Sequence, residues 1–270
     1  MKPEDSALGQ ETEYSDEYNA DLLFPILREN TRKAYLSDTK ILPFYGFDRW
    51  TAYEFSWLNP NGCPAVKIVE FDFPVDSPAI IESKSFKLYL NSFNQSIFTE
   101  DQIKKTLVDD LSVRVGGDVT VRLYPVGHYP IHDLNDFKTI DDISIPCQEY
   151  EVNANLLKST GNSVQKTDLK TDLFRSLCLV TAQPDWASIY IAYEGEEICT
   201  TSLLQYLVSY RKHQGFHEQC VELIYTDLKA HFDLTFLMVT ARFLRRGGLD
   251  INPYRASISS NAMHMRLTRQ

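Results

Sequence analysis

Two residues able to do covalent and proton-transfer chemistry stand close together in CLVTAQPDW (178–186): Cys178 and Asp185, on either side of a proline-bearing turn. A cysteine thiolate is a nucleophile, and a nearby carboxyl group can relay a proton, although an ionised one also raises the thiol pKa. Leu177, Leu179 and Val180 are apolar and place Cys178 in a strand, where a cysteine equally serves as a small core hydrophobe. Asp185 equally reads as a turn residue bonded to its own backbone, but a hairpin here returns it toward the strand that carries Cys178. His217 and Glu218, in FHEQC, open a helix. The helix dipole favours an acid there whatever its function, and does not favour a charged histidine. ESKSFKLY (82–89) interleaves Glu82, Lys84 and Lys87 with small and aromatic residues, as a solvated strand face also would. ARFLRRGGLD (241–250) runs two arginines into two glycines. Such glycines let main-chain N–H groups converge on an anion and guanidiniums suit phosphate, while a turn with solvated arginines has the same sequence.

The elements that must position these groups follow from periodicity. PAVKIVEFDFPV (64–75) and SKSFKLYLNSF (83–93) alternate apolar and polar residues, which predicts two half-buried strands. Thr99 and Gln102 make a T-x-x-Q capping box, Ile103, Leu107 and Leu111 continue at helical spacing, and Gly116-Gly117 stops the helix before a strand in DVTVRLYPV (118–126). In the second half SLCLVTAQ (176–183) and WASIYIAY (186–193) read as a hairpin. SLLQYLVSYRKH (202–213) and FHEQCVELIYTDLKAHF (216–232) read as helical, and LTFLMVTARFL (234–244) as a strand. The halves therefore repeat one architecture. SWLNPNGCPAV (56–66) lies over SLCLVTAQPDW (176–186) without a gap, so that Cys178 and Asp185 face Leu58 and Ala65. With one gap in the helical region, His217 faces Thr99, and Glu82-Ser83-Lys84 faces Cys199-Thr200-Thr201. Reactive and polar residues are thus divided between two modules, 1–145 and 146–270, which predicts one site assembled from both.

Composition narrows the function classes. The chain has 270 residues, 43% hydrophobic and 12% aromatic, enough to fill the core of one large domain or two ordinary ones. No apolar run approaches the ~20 residues that span a bilayer, and MKPEDSALGQETEYSDEY at the start is acidic where a signal peptide is basic and then apolar. A cytoplasmic protein with no membrane partner is expected. The cysteines, Cys63, Cys147, Cys178, Cys199 and Cys220, are odd in number and widely spaced, without C-x-x-C or Cys/His clustering. That predicts free thiols and no metal. A net charge of −10 argues against a nucleic-acid partner, whose backbone needs clustered Lys and Arg, and points to a small-molecule ligand. No G-x-G-x-x-G follows a strand, so a dinucleotide would not bind in the Rossmann manner.

Together, SWLNPNG (56–62), ESKSFKLYLNSF (82–93), CLVTAQPDWAS (178–188), FHEQCVE (216–222) and RRGGLDINPYR (245–255) resemble, in order, the motifs of a known family. These are the QueF nitrile reductases of queuosine biosynthesis, the NADPH-dependent 7-cyano-7-deazaguanine reductases, in their long two-module form. The resemblance covers most of the chain and is weakest before residue 20 and between residues 125 and 170. It implies an α+β fold of tandem tunnelling-fold (T-fold) modules, antiparallel sheets with helices packed on one face, and a homodimer. It further implies that Cys178 attacks the nitrile carbon of 7-cyano-7-deazaguanine to give a thioimidate, and that Asp185 supplies protons. Two hydrides from NADPH would then lead through a thiohemiaminal and an imine to 7-aminomethyl-7-deazaguanine. A nitrile is a poor hydride acceptor, and a C=N bonded to sulfur is a better one, which is the usual gain of covalent catalysis. The resemblance gives substrate binding to Ile81, Glu82, Ser83, His217 and Glu218, the two carboxylates accepting from ring N–H groups. It gives NADPH binding to Ser83, Lys84, Arg246 and Gly247. The related GTP cyclohydrolase uses zinc, and no matching Cys/His set occurs here. An alternative of another class is a cysteine-dependent amide or nitrile hydrolase with Cys178, His217 and Asp185 as its triad, needing no reductant. A non-catalytic binding module is a third, against which the presence of both Cys178 and Asp185 speaks.

Overall fold

The structure, a computed structural model, describes residues 15, 17–38, 41–131, 136–259 and 266–270. They fall into two compact units. The first takes its described residues from Met1–Lys33, Phe47–Pro130 and Arg245–Asp250, the second from Ala34–Gly46, Ile131–Leu244 and Ile251–Gln270.

In chain order the first unit contains β1 (Pro25–Leu27), α1 (Glu29–Arg32), most of β2 (Tyr45–Leu58), β3 (Pro64–Pro74), β4 (Ala79–Ile81), α2 (Ser83–Asn91), α3 (Glu100–Val115) and β5 (Thr120–Tyr124). β2 pairs with β3 and β3 with β5, all antiparallel, and β1 pairs with β4. Segment 83–93, expected as a strand, is instead helix α2 and its continuation. Phe86, Leu88 and Leu90 satisfy the strand period, but Phe86, Tyr89 and Phe93 satisfy the helical one equally and are all fully buried. The N-terminus decides between them. Glu82, in an extended conformation, accepts hydrogen bonds from the N–H groups of Lys84 (2.7 Å) and Ser85 (2.8 Å), a side-chain cap that starts a helix. Phe86 then packs edge-to-face on Trp50 of β2 and Phe71 of β3, at 5.2 and 5.0 Å between centroids, a burial that stabilises by roughly 1.5–3 kcal/mol. α3 forms as its sequence predicts. The Thr99–Gln102 capping box closes in both directions, Ile103, Leu107, Leu111 and Val115 are buried, and Gly116 ends the helix at φ 72°.

The second unit contains β6 (Lys138–Thr139), β7 (Ser159–Leu177), β8 (Pro184–Ile198), α4 (Thr200–Val208), α5 (His217–His231), β9 (Leu234–Phe243) and most of β10 (Leu249–Ala256). The strand order is β10-β9-β8-β7-β6, antiparallel except for β6 with β7. α5 buries Cys220, Val221, Ile224, Tyr225 and Leu228, the stripe of an amphipathic helix laid on a sheet. Cys178, expected inside a strand, lies just beyond the end of β7. Leu177 donates its N–H to the carbonyl of His213 (2.8 Å) and accepts from the N–H of Gly215 (3.1 Å). The chain then turns: the Cys178 N–H donates to the Gln183 carbonyl (2.8 Å) and the Ala182 N–H to the Cys178 carbonyl (3.0 Å). Ala182 sits at φ 54°, a left-handed conformation that a non-glycine residue adopts only under constraint.

Apart from short or flanking elements, β2-β3-α2-α3-β5 in the first unit and β7-β8-α4-α5-β9 in the second share the order strand, strand, helix, helix, strand, with the antiparallel sheet and helices of a T-fold module, and the same polar contacts recur in both. In the first, Asn19 caps a short turn and donates its N–H to Ser92 Oγ (3.2 Å), Ser92 Oγ donates to the Tyr89 carbonyl, and the Tyr89 hydroxyl donates to Asp110 (2.7 Å). In the second, Asn153, Ser209, Tyr206 and Asp227 repeat the chain bond for bond, ending in a 2.6 Å contact to Asp227. Ser85 with Glu82 and Ser202 with Cys199 match likewise. Through the helices the offset is constant, so Glu82 matches Cys199 as expected, but Thr99 matches Phe216 and His217 matches Glu100. In the hairpins Leu58 matches Leu177, each bonded to the loop before the second helix, and Cys178 therefore matches Asn59. The turn at 178–183 is one residue longer than that at 59–63, which an ungapped overlay cannot register.

Candidate active site

In the second unit, β8 and the start of α5 bring an acid and a histidine together. Asp185, second residue of β8, is cross-strand partner of Ser176 and is 3% exposed. His217, first residue of α5, points its Nε2 at Asp185 Oδ1 from 3.3 Å. Its ring lies flat on Phe243, the last residue of β9, with centroids 3.8 Å apart and planes at 4°. A carboxylate at this distance favours a proton on Nε2. Nδ1 is buried and makes no hydrogen bond among the described residues, which leaves it the ring's unsatisfied polar atom. Glu218 follows in the first turn of α5, buried, where the helix dipole stabilises its charge.

Cys178 stands at the root of the same hairpin, half-buried, directly after the Leu177–Pro184 pair and two positions along the chain from Ser176, the cross-strand partner of Asp185. Cys220 makes an informative contrast. Burial pushes its thiol up to about 12, helped by the charges of Asp185 and Glu218 and opposed by Ser176, so it remains a protonated core residue near neutral pH. Cys63 is exposed and Cys147 and Cys199 are half-buried, and all five thiols are free. Among the described residues no group of three or more His, Cys, Asp or Glu side chains could hold a metal ion, and no helix is long and apolar enough to cross a membrane.

The remaining expected residues lie in the first unit. Ile81 ends β4, fully buried, and Glu82 follows as the cap of α2. Glu82 Oε1 accepts from the Lys84 N–H and, at 3.4 Å, from Ser83 Oγ, while Oε2 accepts from the Ser85 N–H. A carboxylate has about four lone-pair directions, which leaves capacity for a ligand N–H. Ser83 and Lys84, both half-buried, form the first turn of α2. The arginine-glycine corner folds back on itself through Arg246 N–H to Leu249 carbonyl (2.9 Å) and Leu249 N–H to Arg246 carbonyl (3.2 Å). Gly247 and Gly248 are both left-handed, at φ 57° and 78°, and a Cβ on Gly247 would come within 3.3 Å of Lys87 Cδ. Arg245 is held by the ring of Tyr53 (4.7 Å) and by Glu54 (3.5 Å). Consecutive left-handed glycines expose main chain to a ligand, and with Lys87 alongside they fit the phosphates of a dinucleotide. Lys87 belongs with this corner, a role that nothing in its local sequence indicates. In a strand Lys84 and Lys87 would point to opposite faces, whereas one turn apart on a helix they share one.

Comparison with known proteins bears on both units. Residues 14–123 match the family model of the N-terminal part of "Nitrile reductase, 7-cyano-7-deazaguanine-reductase", and residues 184–262 match that of "QueF-like protein". The chain is 45% identical over 273 residues to the NADPH-dependent 7-cyano-7-deazaguanine reductase of Hydrogenovibrio crunogenus, covering 98% of this chain and 96% of the relative. It is 44% identical over 264 residues to the enzyme of the same name from Paraburkholderia phymatum, covering 96% of each. A crystal structure of the archaeosine synthase QueF-Like in the apo form aligns with 37% of this chain and all of its own, at a TM-score of 0.34 and 19% identity.

Proposed function

The chain belongs to the 7-cyano-7-deazaguanine reductase family of nitrile reductases, and on that premise we propose that it uses NADPH to reduce the nitrile of 7-cyano-7-deazaguanine to 7-aminomethyl-7-deazaguanine, for queuosine biosynthesis. Cys178 is the nucleophile and Asp185 the proton carrier. The single observation that most supports this assignment is the contrast between two thiols of the same unit: Cys178 is only half-buried and opens a constrained turn at the end of the hairpin that carries Asp185, whereas burial keeps Cys220 protonated.

Attack by Cys178 Sγ on the nitrile carbon forms a C–S bond and breaks one π bond of C≡N, whose electron pair moves to nitrogen. Asp185 takes the thiol proton and passes it to that nitrogen, so that thiol and nitrile become a thioimidate with no net proton gain. His217 anchors Asp185 through Nε2 and offers Nδ1 to the bound base. Glu82 and Glu218 accept from ring N–H groups, and analogues lacking these donors would leave buried carboxylates unpaired. Ser83, Lys84, Lys87, Arg246 and Gly247 hold the phosphates of NADPH, which when bound supplies hydride for two successive reductions. The protein acts on this small molecule as a homodimer in the cytoplasm, without a nucleic-acid partner, in keeping with its net charge of −10.

The test is NADPH oxidation in the presence of 7-cyano-7-deazaguanine, which should be strictly dependent on the nitrile. Ammonia release without NADPH oxidation would instead identify a hydrolase.

A further inference from the structure

The β7–β8 hairpin carries a second polar feature on the positions that alternate with the site. Arg175 and Trp186 are cross-strand partners, one position from Ser176 and Asp185, so their side chains leave by the opposite face of the hairpin. Trp186 is 37% exposed, whereas Trp50 and Trp57 are 2% exposed. Two guanidiniums lie over its ring, those of Arg175 and Arg211, each 5.7 Å from the centroid. Arg175 Nη2 donates to the Arg211 carbonyl at 2.5 Å, tying the two together. In the first unit, by contrast, the neighbouring guanidiniums of Arg49 and Arg122 share Glu70 and Asp72. Here no carboxylate lies within ion-pair distance of either arginine among the described residues, and the buried Nε of Arg175 donates to nothing among them. Burial and, after it, the charge of Arg211 pull Arg175 below the usual arginine range, as expected of two guanidiniums held close together without a carboxylate.

An acidic chain had ample carboxylates with which to neutralise such a pair. A planar cationic fork matches phosphate bidentately, and an exposed indole matches the face of a heteroaromatic ring. We propose that Arg175, Arg211 and Trp186 form a binding site for a nucleotide-class ligand, its phosphate between the guanidiniums and its ring against Trp186. The site uses none of the residues assigned to NADPH or to the nitrile, and does not rest on the reductase reading. Its position, at the foot of the turn that carries Cys178, is where bound ligand would stiffen the catalytic loop.

ADP and inorganic pyrophosphate are suitable probes, read by tryptophan fluorescence because Trp186 is the accessible tryptophan. ADP should change the emission saturably, Trp186→Phe should abolish that change, and Arg175→Gln with Arg211→Gln should weaken binding by about tenfold or more. Pyrophosphate, lacking a ring, should bind about tenfold more weakly than ADP. Lys87→Ala should bind ADP at this site as the wild type does. If the double variant fails to fold by circular dichroism, Arg211→Gln alone serves, since the carbonyl that Arg175 uses is retained. A wild type without saturable response, or a response undiminished by loss of the arginines, would overturn the proposal. Pyrophosphate binding as tightly as ADP would remove the aromatic ring from it.

Discussion

His217 Nε2 lies 3.3 Å from Asp185 Oδ1, and the two arrive there from different elements, the first turn of α5 and the second residue of β8. Stacking on Phe243 restrains the imidazole, so Asp185 meets a ring held by packing in one orientation. In the proposed mechanism this aspartate receives the thiol proton and delivers it to the nitrile nitrogen.

Asp185→Asn should therefore separate binding from chemistry. The amide oxygen can still accept from His217, so the ring stays in place, but no proton is carried. Substrate affinity should stay within a few-fold of wild type, while thioimidate formation slows by about a hundredfold or more, measured by quenched-flow mass spectrometry. Wild-type rates would reduce Asp185 to a structural residue of the hairpin.

The two thiols give a second test. Without NADPH, 7-cyano-7-deazaguanine should add its mass to Cys178, and Cys178→Ala should gain none. Cys220 should stay unmodified by substrate and by iodoacetamide at neutral pH, because burial keeps its thiol protonated. An adduct mapped to Cys220 or Cys199 would contradict the assignment.

Cys220 also gives a pH signature of stability. Its folded-state pKa, about 12, lies above the ordinary value of 9.0, so the folded chain binds a proton more tightly than the unfolded one does. That contribution is complete below about pH 9 and falls as pH rises toward 12, where the unfolded thiol ionises and the folded one does not. The stability difference between wild type and Cys220→Ala should accordingly be flat from pH 6 to about 8 and shrink above about 9, in urea titrations at each pH. A difference that is constant across the alkaline range would show that the thiol is not shifted by burial.

How much of this was legible in the sequence depends on how local each cause is. α3 was legible because its capping box, its apolar spacing and its terminal glycine all lie within the helix or at its edge. α2 was not, because Phe86, Leu88 and Leu90 fit a strand as well as Phe86, Tyr89 and Phe93 fit a helix, and the deciding bonds are those that Glu82 accepts. The location of Cys178 depended on Leu177 pairing with the loop of residues 213–215, a contact remote in sequence. The reactive residue types were readable one by one. Their grouping came from the family motifs, and the place of Lys87 beside Gly247 came only with the helix.

Glu82 has two duties that can be measured apart. As cap of α2 it accepts from two main-chain N–H groups, and as proposed ligand of the substrate ring it must carry charge. Glu82→Gln keeps one acceptor oxygen and loses the charge that the helix dipole favours, so stability should fall by about 1 kcal/mol. KM for 7-cyano-7-deazaguanine should rise about tenfold or more, since a charge-assisted hydrogen bond is lost. A loss of stability without a change in KM would leave Glu82 as a cap alone.

Lys87 provides the test of the phosphate corner. Its alkyl chain lies against Gly247, and in the proposed complex its ammonium supplies a point charge to NADPH where the left-handed glycines supply main chain. Lys87→Ala should weaken NADPH binding by about 1–3 kcal/mol, seen as a raised KM for NADPH, while the thioimidate still forms at the wild-type rate because that step needs no reductant. Gly247→Ala should lower stability in addition to NADPH affinity, because it forces an alanine to φ 57° and brings its Cβ within 3.3 Å of Lys87 Cδ. If both variants bind NADPH as the wild type does, the corner is a turn with charged neighbours and the cofactor lies elsewhere. If instead thioimidate formation collapses in Lys87→Ala, the lysine serves the nitrile rather than the phosphates.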